Sequence, residues 1–288
     1  MKISTITPSS LVTNKNEFNK GIQTLEKLGF KISNKKIPAR LPLPVEKARQ
    51  IHKAFADTSV DVILAQRGGY SSMKTLPYLD FNLIKRFPKI FAGFSDLSTM
   101  LNAVYERTGI ITLHAPMVIN FEHPSEFTVQ SFLNAVNGFA HKELFKDAPV
   151  EVCSPGVARG TLKGGNLVTL TSLIGTAWEV KTAGCIVFLE DVDEKLHQID
   201  RYLTQWMLKG KFNTIKGLIL GDFRGVPNKD VFKIIRDSMK IDFPVVYCPC
   251  IGHVKNKITL PVGATVELNT EKKSLTVLTK KQMRFPGS

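Results

Sequence analysis

Two stretches of sequence decide the fold: VDVILAQRGG at residues 60–69 and IFAGFSDL at residues 90–97. Each begins with a short apolar run and ends in small or polar residues. Such a run suits a strand of a parallel sheet, because that strand is buried on both faces. A helical apolar pattern then extends from Leu97 to Tyr105. This strand-to-helix order predicts an α/β domain with an open, mostly parallel sheet.

The same alternation extends in both directions from these stretches. Upstream, the spacing of apolar residues predicts a strand at 2–7 and helices at 14–28 and 45–57. Downstream, the predicted elements are a helix at 167–173, a strand at 185–189, helices at 194–208 and 229–239, strands at 218–220 and 245–247, and a final hairpin at 265–268 and 275–278. We therefore predict an N-terminal α/β domain over 1–120, a connection over 121–160, and a second, smaller α/β domain over 161–288 that ends in a β-hairpin.

Composition limits the class of protein. The 288 residues include 39 Lys and Arg against 25 Asp and Glu, which gives a net charge of +14. A hydrophobic share of 43% is ordinary for a globular protein and excludes a fully disordered chain. The N-terminal MKISTITPSS lacks the apolar core of a signal peptide, so we expect a cytoplasmic protein. The charge fits a nucleic acid, a membrane surface or an anionic substrate, and equally a well-solvated surface.

Several common cofactor motifs are absent from the sequence. It contains no G-x-x-x-x-G-K-[ST] loop, no G-x-G-x-x-G loop between a strand and a helix, and no H-E-x-x-H. Cys248 and Cys250 form a C-x-C without a second cysteine pair, so buried thiols are a better interpretation than a zinc site. We expect neither a metal nor an organic cofactor.

Two of the strand ends hold candidate residues for chemistry. Ser95 lies where an apolar strand turns into a helix, a position that exposes a nucleophile beside free backbone N–H groups. The alternative is that Ser95 or Asp96 only caps the helix. Gly68 and Gly69 end the preceding strand and allow a ligand to approach the backbone closely, although a plain tight turn explains them equally well.

Two later strand ends hold candidates for an acid and a base, although the carboxylates there could instead cap the following helix. Glu190 closes the apolar run at residues 185–189, and Glu194 is a second acidic candidate. Among the six histidines, His253 combines a strand-end position with a preceding glycine. His114 is a weaker candidate, which we interpret as a core residue or a supporting neighbour of the site.

Seven blocks of the sequence resemble, in their order, the LD-carboxypeptidases, which are muramoyltetrapeptide carboxypeptidases and belong to the serine peptidases. The blocks are GGYSSMKTLPYLDF, AGFSDLSTML, HAPM, GGNLVTLTSLIGT, FLEDVDEKLHQIDRYLTQ, GLILGDF and GHVKNKITLPVGA. The resemblance extends over nearly the whole chain. One departure is Ser71, which stands where the family's R-G-G-Y-G often has its last glycine.

The resemblance implies roles for the candidate residues. Ser95 is the nucleophile, His253 the base and Glu190 the acid of a Ser-Glu-His triad. The oxyanion hole is formed by the N–H groups of Asp96 and of a glycine in the Gly68-Gly69 pair, for which we choose Gly69. Arg67 and Gly68 are expected to contact the substrate, Arg67 through a substrate carboxylate, although a structural ion pair explains Arg67 equally well.

The resemblance also implies a substrate and a setting. The substrate is a murein tetrapeptide or a related anionic peptide, cut to release a terminal D-alanine during peptidoglycan recycling, and the protein is a homodimer with no nucleic-acid or membrane partner. One alternative is a serine amidase that gives immunity to a peptide-nucleotide antibiotic. Another, of a different class, is a non-enzymatic basic binder of anionic polymers.

Overall fold

A computed structural model describes residues 1–139 and 141–279 of the chain. The backbone forms two β-sheets flanked by helices. The strands are β1 (Lys2–Ile6), β2 (Lys31–Ile32), β3 (Val62–Ala65), β4 (Ile90–Gly93), β5 (Thr112–His114), β6 (Glu151–Ser154), β7 (Val157–Asn166), β8 (Cys185–Asp191), β9 (Gly217–Phe223), β10 (Val245–Tyr247), β11 (Leu260–Val262), β12 (Thr265–Asn269) and β13 (Ser274–Val277). The helices are α1 (Lys15–Lys27), α2 (Pro44–Ala56), α3 (Phe81–Arg86), α4 (Ser98–Thr108), α5 (Glu126–Val136), α6 (Leu167–Thr171), α7 (Leu196–Leu208) and α8 (Asn228–Ser238).

The first sheet has six strands in the order β11-β5-β4-β3-β1-β2. Strands β1 to β5 are parallel, and β11 pairs antiparallel with β5 at one edge. All residues of β3 and β4 are buried, as expected for strands that are covered on both faces. Helix α1 begins where the Asn14 side chain accepts hydrogen bonds from the N–H groups of Asn16 and Glu17. It buries an apolar face that includes Phe18 and Leu25.

The second sheet has seven strands in the order β13-β12-β7-β8-β9-β10-β6. Strands β7 to β10 are parallel, and β6 lies antiparallel to β10 at one edge. Strands β12 and β13 form the antiparallel hairpin that the sequence predicts near the C-terminus. Since β12 also pairs with β7, this hairpin extends the second sheet.

The two sheets share one apolar core. A single buried cluster includes Leu64 of β3, Leu260 of β11 and Phe188 of β8. A second cluster packs α2 and α4 against the first sheet, and a third packs α6, α7 and α8 against the second. The shared cluster therefore fixes the strand ends of one sheet relative to those of the other.

Helix α4 and strand β7 meet at two glycines. A Cβ atom added to Gly165 would lie 2.2 Å from Ser98 Oγ, so a larger residue does not fit there. Ser98 Oγ accepts a hydrogen bond of 3.0 Å from the Asn166 N–H, and Asn102 Nδ2 donates one of 2.9 Å to the Gly164 carbonyl. These contacts hold the first turn of α4 against the second sheet.

The predicted α/β class, with a parallel N-terminal sheet and a C-terminal hairpin, is confirmed. Strands β2, β5, β6, β7 and β11 were not predicted, and β11, at residues 260–262, lies in the first sheet. The domain boundaries at residues 120 and 160 stay predictions, and residues 280–288 of the predicted second domain lie outside the described residues. None of the described helices has the length and apolar character that crossing a bilayer requires.

Candidate active site

Ser95 follows β4 directly and occupies an unusual backbone conformation. Its φ is 64°, in the left-handed region that residues other than glycine rarely adopt. The chain continues through a short 3₁₀ turn over Ser95–Leu97 into α4. Neither the turn nor α4 has a side-chain cap, so the interpretation of Ser95 or Asp96 as a helix cap is wrong. The sharp turn leaves the Ser95 hydroxyl free for other contacts.

His253 connects Ser95 to Glu190. Its Nε2 lies 3.0 Å from Ser95 Oγ, and its Nδ1 lies 2.9 Å from Glu190 Oε2. Both distances are within hydrogen-bond range, so the three side chains form one series although they are far apart in the sequence. Of the two carboxylates considered from the sequence, Glu190 is the one that lies against His253.

The loop that carries His253 packs tightly on Glu190. Gly252 has φ 114°, and a Cβ atom added there would lie 2.8 Å from Glu190 Oε2. Glycine is therefore needed for its conformation and for the close approach. Arg224 Nη2 donates a hydrogen bond of 2.9 Å to the His253 carbonyl, which holds the loop from the side of β9.

The Glu190 carboxylate is completely buried. Burial on its own raises the pKa of Glu190, but the imidazoles of His114 and His253 outweigh it and hold the pKa at about 2. His114 is also completely buried, with Nε2 4.0 Å from Glu190 Oε1. Burial lowers the pKa of His114, which favours its neutral form. Glu190 is thus a buried anion within hydrogen-bond distance of His253.

The Arg67-Gly68-Gly69 segment lies beside Ser95. A Cβ atom added to Gly68 would lie 3.1 Å from Ser95 Cβ, whereas one added to Gly69 would lie 2.3 Å from Ser10 Oγ. Within residues 1–139 and 141–279, neither glycine N–H donates a hydrogen bond. Arg67 is half-buried, and its Nη1 donates a hydrogen bond of 3.1 Å to the Leu11 carbonyl.

Comparison with known proteins identifies the family. The model of the LD-carboxypeptidase N-terminal domain matches residues 3–115, and that of the LD-carboxypeptidase C-terminal domain matches residues 159–268. The chain belongs to the LD-carboxypeptidase family. The predicted resemblance is therefore confirmed.

The similarity to individual relatives extends over most of this member of the LD-carboxypeptidase family. A probable murein peptide carboxypeptidase of Bacillus subtilis (strain 168) is 33% identical over 81% of this chain and 76% of its own. The microcin C7 self-immunity protein of Escherichia coli is 27% identical over 92% of this chain and 89% of its own. The crystal structure of a muramoyltetrapeptide carboxypeptidase from Oxalobacter formigenes superimposes with a TM-score of 0.82 at 27% identity, covering 96% of this chain and 98% of that one.

Asp96 belongs to a buried polar network in this LD-carboxypeptidase family chain. Its carboxylate accepts hydrogen bonds from Ser9 Oγ and from the Ser72 N–H, the latter at 2.8 Å. Nearby, Lys47 Nζ donates to the Ser9 carbonyl at 2.8 Å and to Ser71 Oγ at 2.7 Å. Ser71, at the position where the family often has glycine, adopts φ 88°. Ser71 thus adopts a left-handed conformation that glycine adopts easily, and Lys47 anchors its side chain.

Asp191, the residue after Glu190, has a structural role in joining β8 to α6. Its carboxylate accepts hydrogen bonds from Asn166 Nδ2 at 3.0 Å and from the Val168 N–H at 2.8 Å, which ties β8 to the start of α6. Burial raises the pKa of Asp191 to about 6. Glu194 lies further along the same loop and makes no contact with His253 among the described hydrogen bonds and ion pairs.

Two residues near the site were missed from the sequence. Phe94 packs its ring 4.8 Å from the His253 ring, measured between centroids. Lys257 places Nζ 3.9 Å from the centroid of the Phe94 ring. No sequence signal distinguished Phe94 from other core aromatics, and Lys257 lies in the polar stretch VKNK. Among the described residues, no group of three His, Cys, Asp or Glu side chains is placed to hold a metal ion.

Proposed function

We propose that this chain is a serine LD-carboxypeptidase that releases the terminal D-alanine from a murein tetrapeptide. The observation that supports it most strongly is the hydrogen-bond series from Ser95 through His253 to Glu190, in a member of the LD-carboxypeptidase family. In this proposal Ser95 is the nucleophile, His253 the base and Glu190 the acid.

The first step is acylation of Ser95. The hydroxyl donates its proton to His253 Nε2 as Oγ attacks the carbonyl carbon of the scissile amide. Glu190 accepts the Nδ1 hydrogen of His253 and stabilises the imidazolium that forms. His253 then protonates the leaving amine of D-alanine, the C–N bond breaks, and the acyl group remains on Ser95 as an ester.

The second step is hydrolysis of that ester. A water molecule donates a proton to His253 and attacks the acyl carbon, and the proton returns to Ser95 Oγ as the shortened peptide leaves. In both steps we assign stabilisation of the oxyanion to the N–H groups of Asp96 and Gly69, with Gly68 as the alternative glycine. Losing one such donor commonly costs on the order of 3 kcal/mol of transition-state stabilisation.

Substrate capture is assigned to positive charge near the glycine loop. A murein tetrapeptide carries several carboxylates, and the net charge of +14 favours its approach. We assign Arg67 and Gly68 to the substrate, with the Arg67 guanidinium on a carboxylate, because Arg67 directly precedes the glycine that lies against Ser95. Arginine matches a carboxylate with two parallel hydrogen bonds.

A serine amidase that confers immunity to a peptide-nucleotide antibiotic is the second candidate. The similarity to the microcin C7 self-immunity protein supports it, since that relative covers 92% of this chain. The same three side chains would perform the acyl transfer, so the two functions differ in the substrate and not in the chemistry.

A parallel assay separates these candidates. The purified protein is incubated with murein tetrapeptide and, separately, with an aminoacyl-sulfamoyl adenylate, and each product is quantified by chromatography. We expect D-alanine release without added metal, its loss in Ser95→Ala, and little cleavage of the adenylate. Preferential cleavage of the adenylate would favour the amidase, and unchanged D-alanine release by Ser95→Ala would contradict the assignment of the nucleophile.

We further propose that the enzyme works in peptidoglycan recycling in the cytoplasm, as a homodimer. All four cysteines are free thiols, which suits a reducing compartment. Cell fractionation tests the location, and light scattering coupled to size-exclusion chromatography tests the oligomeric state. Recovery outside the cytoplasm or a monomeric mass would overturn the respective assignment.

A further inference from the structure

Lys257 is a buried lysine beside the catalytic histidine loop. Only 2% of its surface is exposed. Its Nζ donates a hydrogen bond to the Gly252 carbonyl and lies over the face of Phe94. Within the described part of the chain, no carboxylate comes close enough to this ammonium to form an ion pair. A buried cation without an ion-pair partner is costly, so stability alone does not explain it.

The two contacts of Lys257 reach both halves of the proposed acyl-transfer site. Gly252 is the residue before His253, and Phe94 is the residue before Ser95. We infer that Lys257 is a positioning residue that holds the His253 loop against the Ser95 turn by binding Gly252 and Phe94 at once. This inference rests on the proposed function, in which His253 accepts the Ser95 proton.

The backbone of Lys257 is itself fixed, which makes its side chain an effective clamp. Its N–H donates a hydrogen bond of 2.8 Å to Thr128 Oγ1, and that hydroxyl donates one of 2.9 Å to the Lys255 carbonyl. Thr128 belongs to α5, a helix packed outside the site. The Lys257 side chain thus starts from a fixed backbone, and the position of its ammonium depends on its contacts with Gly252 and Phe94.

The charge on Lys257 determines how firmly it holds. The ring face attracts the ammonium, whereas a neutral amine loses that attraction. The ionisable groups that face it are Glu190, Asp222, Arg224 and His114. Burial is the largest influence and lowers the pKa of Lys257 to about 8, against the opposing effect of Glu190. Lys257 is therefore charged below that pH and becomes neutral above it.

Labelling with a fluorophosphonate tests the clamp without a peptide substrate. In this reaction Ser95 Oγ bonds to phosphorus, fluoride leaves, and the hydroxyl proton passes to His253. The variants are Lys257→Met, which removes donor and charge, and Lys257→Gln, which keeps a donor without the charge. Lys255→Met is the matched control, because Lys255 is exposed and two residues away.

At pH 7 we expect Lys257→Met to be labelled about tenfold more slowly than the wild type, since a small misplacement of reacting groups has effects of this size or larger. The labelling rate of Lys257→Gln should lie between those of Lys257→Met and the wild type, and the labelling rate of Lys255→Met should equal that of the wild type. The thermal midpoint of Lys257→Met should equal or exceed that of the wild type, because an apolar residue replaces an unpaired buried charge.

The pH profile supplies a second readout. Labelling of the wild type should decline as pH rises through about 8, as Lys257 loses its proton, and this decline should be absent in Lys257→Met. Equal labelling rates of Lys257→Met and the wild type at pH 7 would overturn the inference. A decline above pH 8 that persists in Lys257→Met would also overturn it. So would a thermal midpoint of Lys257→Met below that of the wild type, together with its slower labelling. A wild-type protein that is not labelled would overturn the nucleophile assignment and this inference with it.

Discussion

His253 Nδ1 lies 2.9 Å from Oε2 of Glu190, and no part of the Glu190 carboxylate reaches solvent. Burial of this carboxylate opposes its ionisation, yet the neighbouring imidazoles hold its pKa at about 2. The anion is thus maintained by its histidine neighbours although it is completely buried. Stability and the proposed catalysis depend on the same contact.

This contact makes stability depend on pH. The pKa of Glu190 falls from 4.5 in the unfolded chain to about 2 in the fold. Its contribution is therefore fully present above about pH 4.5 and is lost as the pH falls towards 2. We expect the wild type to lose on the order of 3 kcal/mol of unfolding free energy over this range relative to Glu190→Gln. Urea unfolding at a series of pH values measures the difference.

An exposed carboxylate provides the control for that experiment. Glu271 is exposed, so Glu271→Gln should follow the wild-type curve at every pH. Parallel curves for Glu190→Gln and the wild type would contradict the assignment of Glu190 as the histidine-stabilised anion.

Gly252 sets the spacing between Glu190 and the His253 loop. In Gly252→Ala the new Cβ would meet Glu190 Oε2 at 2.8 Å, so either the carboxylate or the His253 loop must move. We expect kcat for D-alanine release to fall at least roughly tenfold. The left-handed backbone adds about 1 kcal/mol of destabilisation, measured by urea unfolding.

Gly29→Ala separates the two effects of that substitution. Gly29 also has a left-handed φ, of 91°, but nothing lies within 4 Å of its added Cβ. Gly29→Ala should lose the same amount of stability, about 1 kcal/mol, that the left-handed backbone costs in Gly252→Ala, and its kcat should equal that of the wild type. Wild-type kcat in Gly252→Ala would mean that the Glu190 contact does not determine the rate.

Gly165 of β7 determines how closely α4 packs on the second sheet. In Gly165→Ala the new Cβ would lie 2.2 Å from Ser98 Oγ, which pushes the first turn of α4 away from the second sheet. Since Ser95 begins the 3₁₀ turn that leads directly into α4, we expect kcat to fall and the thermal midpoint to drop by several degrees. Gly175→Ala is the control, because its φ of 85° is also left-handed and its added Cβ has open space. Equal activities of the two variants would show that this packing does not position Ser95.

Arg67 is expected to affect binding and not the chemical step. Arg67→Gln removes a guanidinium assigned to a substrate carboxylate, and a charge-assisted hydrogen bond contributes about 1.5–3 kcal/mol. We expect KM for the tetrapeptide to rise roughly tenfold or more with little change in kcat. Lys74→Gln is the control for the loss of one positive charge nearby. An unchanged KM in Arg67→Gln would remove Arg67 from substrate recognition.

The parts of the fold that the sequence predicted are those with local patterns. Strands β3 and β4 are short, wholly apolar runs, and α1 has a cap, an apolar face and a glycine after its end. Strand β7 was missed because three glycines, at 160, 164 and 165, weaken the strand pattern. Strand β11 was missed because it is three residues long, includes Pro261 and pairs with the distant β5.

The sequence allowed the candidate residues to be proposed, but it did not predict the distances between them. Ser95 and Glu190 stand at the ends of β4 and β8, whereas His253 lies in the loop between β10 and β11 and not at the strand end that the sequence predicted. The family blocks indicated the roles of all three. Their distances depend on contacts between sheets, such as that of Gly165 with Ser98, which no local pattern encodes. Lys257 follows polar residues, so its burial left no signal.

Lys47, by contrast, could have been recognised. It lies four and eight residues before Ile51 and Phe55 on α2, and that spacing places all three on the buried face. A lysine on an apolar face indicates a buried polar partner, which here is the Ser9 and Ser71 pair.

The most direct test of the central claim, that His253 and Glu190 activate Ser95, is tandem mass spectrometry of the fluorophosphonate-treated protein. Cleavage after Lys89 and Arg107 isolates residues 90–107, which contain Ser95, Ser98 and Thr99. We expect one phosphonyl group, located on Ser95 by the fragment ions, with strongly reduced labelling in His253→Ala. An adduct on another residue, or equal labelling of Ser95 in His253→Ala, would contradict the claim.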